Sequence, residues 1–348
     1  MYNLSIDLLF YSFLISLTFG YLILKTRFLH SIITNDTRKG PQKVHDHDVI
    51  RVGGVAIFLS LFIFCFFKPM LWPVFFSSIP VFLAGFLEDV TKKISPNWRL
   101  LATFFSAYLI SSYANYQISS LGFSYLNNFL SFSVISILIT SLSIVMLTQS
   151  FNLIDGLNGL VSFTSIIILL ACILLGYKYE DFEFISICLV FIGIILGFLV
   201  FNFPYGKIFL GDGGAYFLGI LISTVIISLP LKFPSISPFT SLMLILYPIH
   251  EVIRSFLRRA LSKTKNTMKP DDGHLHSIIF LLVSNYFKKR SCRENSLSTI
   301  ITLTVPIITT FFAIKYHDNQ NTLILLILSI LLVLELMFLF FNRKLSTK

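Results

Sequence analysis

Long apolar runs separated by short polar segments dominate the pattern of this sequence. A transmembrane helix needs about 20 mostly apolar residues, and eleven runs approach or reach that length. The sequence therefore predicts an all-α, polytopic membrane protein with about eleven transmembrane helices. The predicted spans are residues 4–24, 52–67, 71–87, 100–114, 129–148, 160–177, 184–201, 215–231, 239–253, 297–314 and 322–341.

The composition agrees with a membrane protein. Hydrophobic residues make up 55% of the chain and charged residues only 13%, whereas soluble domains carry about 25% charged residues. The first run lacks a small-residue cleavage site, so we expect it to be retained as a span. Residues 1–348 are expected to form a single integral membrane domain, because the sequence indicates no soluble module, repeat or disulfide framework.

The net charge of +10 is concentrated on one predicted side of the membrane. If the N-terminus is outside, the predicted cytoplasmic loops and C-terminal tail hold 23 of the 27 lysines and arginines. This distribution follows the positive-inside rule. It predicts a periplasmic N-terminus and a cytoplasmic C-terminus, and it explains the basic charge without a nucleic-acid partner.

Five polar clusters, all on the predicted cytoplasmic face, carry the candidate chemistry. A transporter would be expected to keep ionisable residues near the middle of its spans, and Glu251 and Glu335 are the nearest exceptions here. The sidedness of the clusters therefore favours chemistry at one membrane surface.

The first cluster combines basic residues with a pair of glycines. Lys43, His45 and Arg51 could meet phosphate, and Gly53 and Gly54 would allow a backbone to approach a ligand closely. The alternative is a basic loop that touches anionic lipid, with glycines that serve helix packing.

The second cluster places carboxylates beside cations at the end of a predicted span. Glu88 and Asp89 are followed by Lys92, Lys93 and Arg99. Adjacent carboxylates next to cations suit a divalent ion or a positioned phosphate. A solvated turn that simply ends the helix is an equal alternative.

The third and fourth clusters are short loops rich in oxygen donors. Asn152, Asp155 and Asn158 stand three residues apart, which suggests that they face one site. Asp212 is flanked by glycines that would permit tight approach of a metal or a pyrophosphate. Asn and Asp beside glycine are also common turn formers and helix caps.

The fifth cluster is a His-X-His pair, His274 and His276, in the predicted loop 254–296. Such a pair can bind metal or donate hydrogen bonds to phosphate. An isolated pair of loop histidines more often does neither, so this cluster is informative only together with the others.

Taken in order, these motifs resemble those of the polyprenyl-phosphate N-acetylhexosamine-1-phosphate transferases. The resemblance covers about residues 43–277 and rests on VGG at 52–54, the Glu88 and Asp89 pair, NLIDGLNGL at 152–160, FLGDGG at 209–214 and HLH at 274–276. It implies an active site on the cytoplasmic face and transfer of a sugar 1-phosphate from a UDP-N-acetylhexosamine to undecaprenyl phosphate. UMP would be released, and a lipid-linked cell-surface glycan such as lipopolysaccharide would be started.

The resemblance also implies roles for single residues. Asn152 and Asp212 would bind Mg²⁺, with Mn²⁺ as an alternative, and Asp89, Glu88 and Asp155 would form the catalytic acidic set. The role of Asp89 stays open between a base and an orienter of Lys92 or Lys93. The expected partners are the UDP-sugar, the polyprenyl phosphate and the bilayer, with a homodimer allowed. The candidate substrate-binding residues are Lys43, His45, Arg51, Gly53, Gly54, Lys92, Lys93, Arg99, His274 and His276.

The chain departs from the family pattern at four positions: Glu88 and Asn158 replace Asp, Gln149 replaces Asn, and Ser277 replaces His. An Asn158→Asp change is expected to be tolerated, since it restores the residue common in bacterial members. The competing functional class is a polytopic transporter or lipid flippase, and a third is an inactive scaffold. Exchange of labelled UMP into UDP-sugar would separate a transferase from both.

Overall fold

The computed structural model describes residues 2–36, 49–261 and 273–346, which are almost entirely helical. Two short strands, β1 (Asn35–Asp36) and β2 (Val49–Ile50), pair antiparallel. The helices are α1 (Tyr2–Lys25), α2 (Arg27–Thr34), α3 (Gly54–Phe67), α4 (Trp72–Thr91), α5 (Pro96–Ser112), α6 (Ser124–Leu130), α7 (Ser133–Ile154), α8 (Leu160–Lys178), α9 (Phe182–Asn202), α10 (Gly211–Lys232), α11 (Pro238–Leu244), α12 (Leu246–Leu261), α13 (Leu275–Phe287), α14 (Cys292–Thr302), α15 (Thr304–Lys315) and α16 (Gln320–Ser346).

Among the described residues, eight segments are long and apolar enough to cross a membrane. The predicted all-α, polytopic architecture is therefore confirmed, whereas the count of eleven spans stays a prediction. The eight segments are Ile6–Lys25, Pro69–Thr91, Ser133–Ile154, Leu160–Lys178, Phe182–Asn202, Gly211–Lys232, Cys292–Lys315 and Gln320–Arg343.

The other three predicted spans are short or interrupted. Helix α3 has 14 residues and α5 has 17, both below the length of about 20 that a straight span needs. The predicted span 239–253 is two helices, α11 and α12, separated at Ile245. Helix α12 carries charged residues on one face, which gives it an amphipathic character.

The predicted cytoplasmic loop 254–296 contains the apolar helix α13 in its middle part. Thirteen residues are too few to cross a bilayer as a helix. The helix instead buries Leu275, Ile278 and Phe280 and packs against α14 and α16. Packing against neighbouring helices buries the apolar side chains of this short segment without a membrane crossing.

Helix α10 forms the centre of the protein and positions the candidate site. It packs against α3, α4, α7 and α8, and nearly all of its side chains are buried. Glycines permit the closest approach at its start: a Cβ atom on Gly85 of α4 would lie 2.6 Å from the Cα atom of Gly213. The backbones of α4 and α10 therefore touch, as small residues allow between membrane helices.

Candidate active site

The first turn of α10 is the structural centre of the site. Helix α10 begins at Gly211, whose φ of +77° lies in the left-handed region that favours glycine. A Cβ atom there would lie 2.5 Å from both the Arg51 carbonyl oxygen and a carboxylate oxygen of Asp89. Asp212 follows in the first turn and is only 6% exposed. The glycine therefore lets two other segments converge on Asp212.

Asp89, near the end of α4, caps α10 from the neighbouring helix. Its Oδ1 and Oδ2 atoms accept hydrogen bonds of 2.9 Å from the backbone N–H groups of Asp212 and Gly213. The first N–H groups of a helix have no partner within the helix, and a carboxylate there also interacts favourably with the helix dipole. Asp89 is 2% exposed and fixes where α10 begins.

Two arginines from different segments bind the Asp212 carboxylate. Arg51 lies just after β2 and Arg99 in the first turn of α5. Arg51 Nη2 is 2.6 Å from Asp212 Oδ1, and Arg99 Nη1 pairs with Asp212 Oδ2. Arg51 Nε also lies 3.3 Å from Asp89 Oδ1. The arginines thus neutralise a pair of buried carboxylates at the start of α10.

Arg99 is held in place from α7. The Thr103 hydroxyl donates to the Arg99 carbonyl at 2.8 Å and accepts from Gln149 Nε2 at 3.1 Å. Gln149 occupies the position where the resembled family has Asn. Its extra methylene gives the amide the length to reach Thr103, which links α7 to the helix that carries Arg99.

Asn152 and Asp155 at the end of α7 complete the site. The Asn152 side chain interacts with the hydroxyl of Tyr216, which lies one turn after Asp212 on α10. Asp155 lies just beyond the α7 span and is half-buried. Burial raises the pKa of Asp155 to about 7, while nearby Arg51 lowers it and Asp212 raises it. Asp155 can therefore hold or release a proton near neutral pH.

This pKa predicts a pH-dependent stability in the absence of divalent metal. The native Asp155 binds a proton that the unfolded chain, with a carboxyl pKa of 3.8, has already released, so stability falls as pH rises between the two values. Asp155→Asn should be more stable than wild type at about pH 8 and nearly equal to it at about pH 4. Thermal unfolding in detergent with a chelator measures this. Parallel curves across the pH range would contradict it.

Several predicted site residues do not join the cluster. Glu88 Oε2 accepts from the backbone N–H of Ile94 at 2.8 Å and closes the turn after α4, so the geometry does not support its predicted catalytic role. Adjacent helical residues point about 100° apart, which separates Glu88 from Asp89. Lys92 and Lys93 are exposed beyond α4. Because Asp89 binds the α10 backbone, the geometry does not support its predicted role as their orienter either.

The paired glycines pack against the segment before α10, so the geometry does not support their predicted substrate-binding role. Gly53 and Gly54 are buried, and their N–H groups donate to the carbonyl oxygens of Phe209 and Leu210 at 2.9 Å. A Cβ atom on Gly53 would lie 2.7 Å from the Phe209 carbonyl oxygen. No space is left for a ligand at this contact. The predicted residues Lys43 and His45 lie outside the described residues.

The two histidines approach the site from α13. His274 and His276 stack with ring centroids 5.4 Å apart. A Cβ atom on Gly156 would lie 2.6 Å from His276 Nε2, so the His276 ring lies directly against the turn that carries Asp155. The structure thus places His276, from the fifth predicted cluster, beside the turn that carries Asp155, from the third.

Asn158 has a structural role in that turn. Its backbone N–H donates to Asn295 Oδ1 at 2.8 Å, its Nδ2 donates to the Pro204 carbonyl at 3.1 Å, and its own carbonyl accepts from Thr299 at 2.8 Å. The next residue, Gly159, donates to Asn202 Oδ1 at 2.6 Å. These bonds tie the turn to α9 and α14.

The structure argues against the expectation that Asn158→Asp is tolerated. A carboxylate cannot donate to Pro204, and it would face that carbonyl oxygen while only 4% of the residue is exposed. We expect a loss of about 1–3 kcal/mol of stability, measured as a lower midpoint of thermal unfolding in detergent. Asn285→Asp, the same change at an exposed position after α13's buried face, serves as the control and should leave the midpoint unchanged. Equal midpoints for the two variants would refute this role.

Sequence reasoning missed Tyr216 as a member of the site. The signal was available, because a tyrosine one turn after Asp212 shares its face of α10. Its hydroxyl interacts with the Asn152 side chain. It also interacts electrostatically with the charged groups of Asp212, Arg99 and Asp89. Tyr216 therefore links the α7 and α10 parts of the site.

Comparison with known proteins is consistent with this arrangement. The family model described as Glycosyl transferase family 4 matches residues 71–230, a range that contains Asp89, Arg99, Asn152, Asp155 and Asp212. An undecaprenyl-phosphate alpha-N-acetylglucosaminyl 1-phosphate transferase of Thermotoga maritima is 31% identical over 267 residues, which cover 77% of this chain and 78% of that protein.

Two further relatives extend the comparison. A probable undecaprenyl-phosphate N-acetylglucosaminyl 1-phosphate transferase of Bacillus subtilis is 30% identical over 243 residues, 68% of this chain and 66% of that protein. A phospho-N-acetylmuramoyl-pentapeptide-transferase of Streptococcus suis is 38% identical over 82 residues, 24% of this chain and 25% of that protein. With this coverage and with the polar cluster at the start of α10, the chain belongs to glycosyl transferase family 4.

Proposed function

We propose that this protein transfers N-acetylglucosamine 1-phosphate from UDP-N-acetylglucosamine to undecaprenyl phosphate and releases UMP. The observation that carries the proposal is the convergence of Arg51, Arg99, Asp89 and Asp212 on the first turn of α10, next to Asp155. The printed names of the Thermotoga maritima and Bacillus subtilis relatives support the choice of sugar and lipid. Neither the geometry nor the relatives support the competing transporter or flippase.

The chemistry needs positioning and charge neutralisation more than covalent participation by the protein. An oxygen of the lipid phosphate attacks the β-phosphorus, the bond from that phosphorus to the bridging oxygen breaks, and UMP leaves with the electron pair. The Arg51 and Arg99 side chains are 35% and 17% exposed, so they can contact phosphate oxygens while they remain attached to the site. Guanidinium groups suit this task because they bind such oxygens in pairs.

Asp155 is suited to handle the proton of the lipid phosphate. A phosphate monoester loses its second proton with a pKa of about 6, close to the pKa of about 7 of the Asp155 carboxyl. Proton exchange between the two groups would therefore be nearly balanced near neutral pH. By accepting this proton, Asp155 would leave the lipid phosphate fully ionised, which makes it the better nucleophile.

The donor set at the site fits Mg²⁺, and Mn²⁺ is an alternative. Asp212 offers a carboxylate and Asn152 an amide oxygen, and both lie near the Tyr216 hydroxyl. Mg²⁺ commonly takes one or two protein donors and fills its other positions with phosphate and water. Bound there, the ion would supply neutralisation of the negative charge on the diphosphate.

An apolar cavity of about 370 Å³ between α7, α10, α11 and α12 is suited to the polyprenyl chain. Met146, Leu147, Ile226, Leu242 and Ile249 are among its lining residues. On α7 its wall lies one to two turns before Asn152, and on α10 it begins at Ser223, about three turns after Asp212. A chain in this cavity would therefore lie on the membrane side of the polar site and extend beyond the cavity to bring its phosphate there. The hydrophobic effect favours burial of an isoprenoid tail in an apolar cavity.

Filling this cavity should weaken the lipid substrate alone. Met146→Trp adds a large side chain at the wall, and we expect the KM for undecaprenyl phosphate to rise by about tenfold. The KM for the UDP-sugar should stay unchanged, because the polar site is not altered. Met146→Leu, which conserves volume, is the control. A rise in both KM values would show that the cavity is not specific to the lipid.

We also propose that the site faces the cytoplasm of a bacterial inner membrane, with the N-terminus periplasmic and the C-terminus cytoplasmic. The support is that 23 of 27 lysines and arginines fall in the loops and tail on that side. Reporter fusions at both ends test it, and both ends on one side would overturn it. A homodimer stays a prediction.

The function is tested by UMP release in purified protein with Mg²⁺, UDP-N-acetylglucosamine and undecaprenyl phosphate. Exchange of labelled UMP into the UDP-sugar provides a second readout, because the transfer is reversible. Other UDP-sugars in the same assay define the specificity. An absence of both UMP release and exchange in folded protein would sink the proposal.

A further inference from the structure

The polar face of α12 holds the segment that carries the two histidines. Glu251, Arg254 and Arg258 are spaced three and four residues apart, which places them on one face of the helix. Arg254 Nη1 and Arg258 Nη1 donate to the carbonyl oxygen of Gly273 at 3.4 and 2.9 Å. The start of α13 is therefore attached to α12 by side-chain bonds.

Glu251 makes the most buried of these attachments. Its side chain is fully buried, Oε2 lies 3.0 Å from His274 Nδ1, and Oε1 accepts from the backbone N–H of Leu275 at 2.9 Å. A buried carboxylate is costly unless it is paired and hydrogen-bonded. Both of its oxygens are satisfied by the first two residues of the histidine segment.

Among the described residues, His274 is the side chain that bonds directly to Glu251. On the same helix, His250 Nε2 and Arg254 Nε lie 3.1 and 3.2 Å from Glu335 of α16. From α13, His276 Nδ1 faces the Tyr247 hydroxyl at 3.5 Å. The Glu251 carboxylate thus holds the His274 ring through its Nδ1 atom.

A line of contacts connects the Glu251 carboxylate with the turn that carries Asp155. Glu251 bonds to His274, His274 stacks on His276 at an interplanar angle of 4°, and His276 lies against Gly156 next to Asp155. A change at Glu251 can therefore reach the site without contact with the substrate. A residue that does not touch the substrate can still set the orientation of the groups that contact it.

We propose that Glu251 is a positioning residue that fixes the orientation of His274 towards the diphosphate of the sugar nucleotide. The inference rests on the proposed function, because it assigns the ligand of His274 as the diphosphate of that substrate. With Nδ1 bonded to Glu251, Nε2 is the ring nitrogen of His274 that remains to face the substrate. Glu251 itself touches neither substrate.

The test compares Glu251→Gln with wild type and with Glu335→Gln in the UMP-release assay. Glutamine keeps the length of the side chain but removes the charge, so we expect kcat/KM for the UDP-sugar to fall about tenfold or more. Most of the change should be in the KM for the UDP-sugar, with the KM for undecaprenyl phosphate unchanged.

Glu335→Gln is the matched control, since it removes a carboxylate that contacts α12 but not His274. It should keep wild-type kinetics for both substrates. Glu251→Asp, which retains the charge, should recover part of the lost kcat/KM. Folded fractions of all variants are compared by size-exclusion chromatography and thermal unfolding, so that activities refer to folded protein.

A double-mutant cycle with His274→Gln decides between a positioning role and a structural one. If Glu251 acts through His274, Glu251→Gln should cost nothing further in the His274→Gln background. Additive losses or wild-type kinetics in Glu251→Gln would each overturn the proposal. Wild-type protein without UMP release would instead show that the proposed function is wrong, which is a distinguishable outcome.

Discussion

Asp212→Asn should reduce UMP release by at least about a hundredfold, equivalent to about 2.7 kcal/mol of transition-state stabilisation. Asp212 is the carboxylate that Arg51 and Arg99 share, and it is the only charged member of the proposed metal-binding pair. An amide has one oxygen acceptor, so it cannot pair with both guanidinium groups, and it is a weaker ligand for Mg²⁺. Both the arrangement of the arginines and the neutralisation of the diphosphate would be lost.

The assay for this variant measures UMP release over a Mg²⁺ titration at equal amounts of folded protein. Asp181→Asn is the control, since it removes a carboxylate that pairs with Lys232 in a different part of the protein. It should retain activity close to wild type. Full activity of Asp212→Asn with an unchanged Mg²⁺ requirement would place the metal elsewhere and contradict the site assignment.

Asp89→Asn should also lower activity by about a hundredfold, whereas Glu88→Gln should remain within a few-fold of wild type. Asp89 accepts two N–H groups of α10 and lies beside Arg51. Asparagine would place an NH₂ group opposite one of those N–H donors, and it would remove the negative charge that lies beside Arg51. Each group left without a partner costs about 1–3 kcal/mol. Glu88 contacts only the turn after α4 in the described hydrogen bonds.

Kinetics of the two adjacent variants, measured side by side, test the assignment of Asp89. Hydrogen exchange of the Asp212 and Gly213 amides provides a second readout, since faster exchange is expected only in Asp89→Asn. Equal activity losses in Asp89→Asn and Glu88→Gln would show that the acidic pair acts as a unit. That outcome would refute the separation of roles.

Much of the candidate site could be predicted from local sequence. Asp89, Arg99, Asn152, Asp155 and Asp212 stand out because polar residues at the ends of apolar runs are rare and must be satisfied. The structure brings these five residues to the start of α10 and the end of α7. Their predicted side of the membrane follows from the charge distribution, which is a property of the linear chain.

Neighbouring residues with the same chemistry could not be told apart in this way. Glu88 and Asp89 form one acidic pair in the sequence, and the rotation of α4 sends one to Ile94 and the other to α10. Gly53 and Gly54 fit a ligand or a helix contact equally well until Phe209 and Leu210 are seen to occupy the space. Which alternative holds depends on segments more than 100 residues away.

The sequence by itself determined the membrane class, the approximate spans and the set of polar segments at one surface. These follow from hydrophobicity and charge, which act residue by residue along the chain. Only the tertiary structure decided that Asp89 caps α10, that Asn158 ties down the catalytic turn and that Glu251 holds His274. Each of these bonds joins segments distant in sequence, so its existence depends on helix packing that no local pattern encodes.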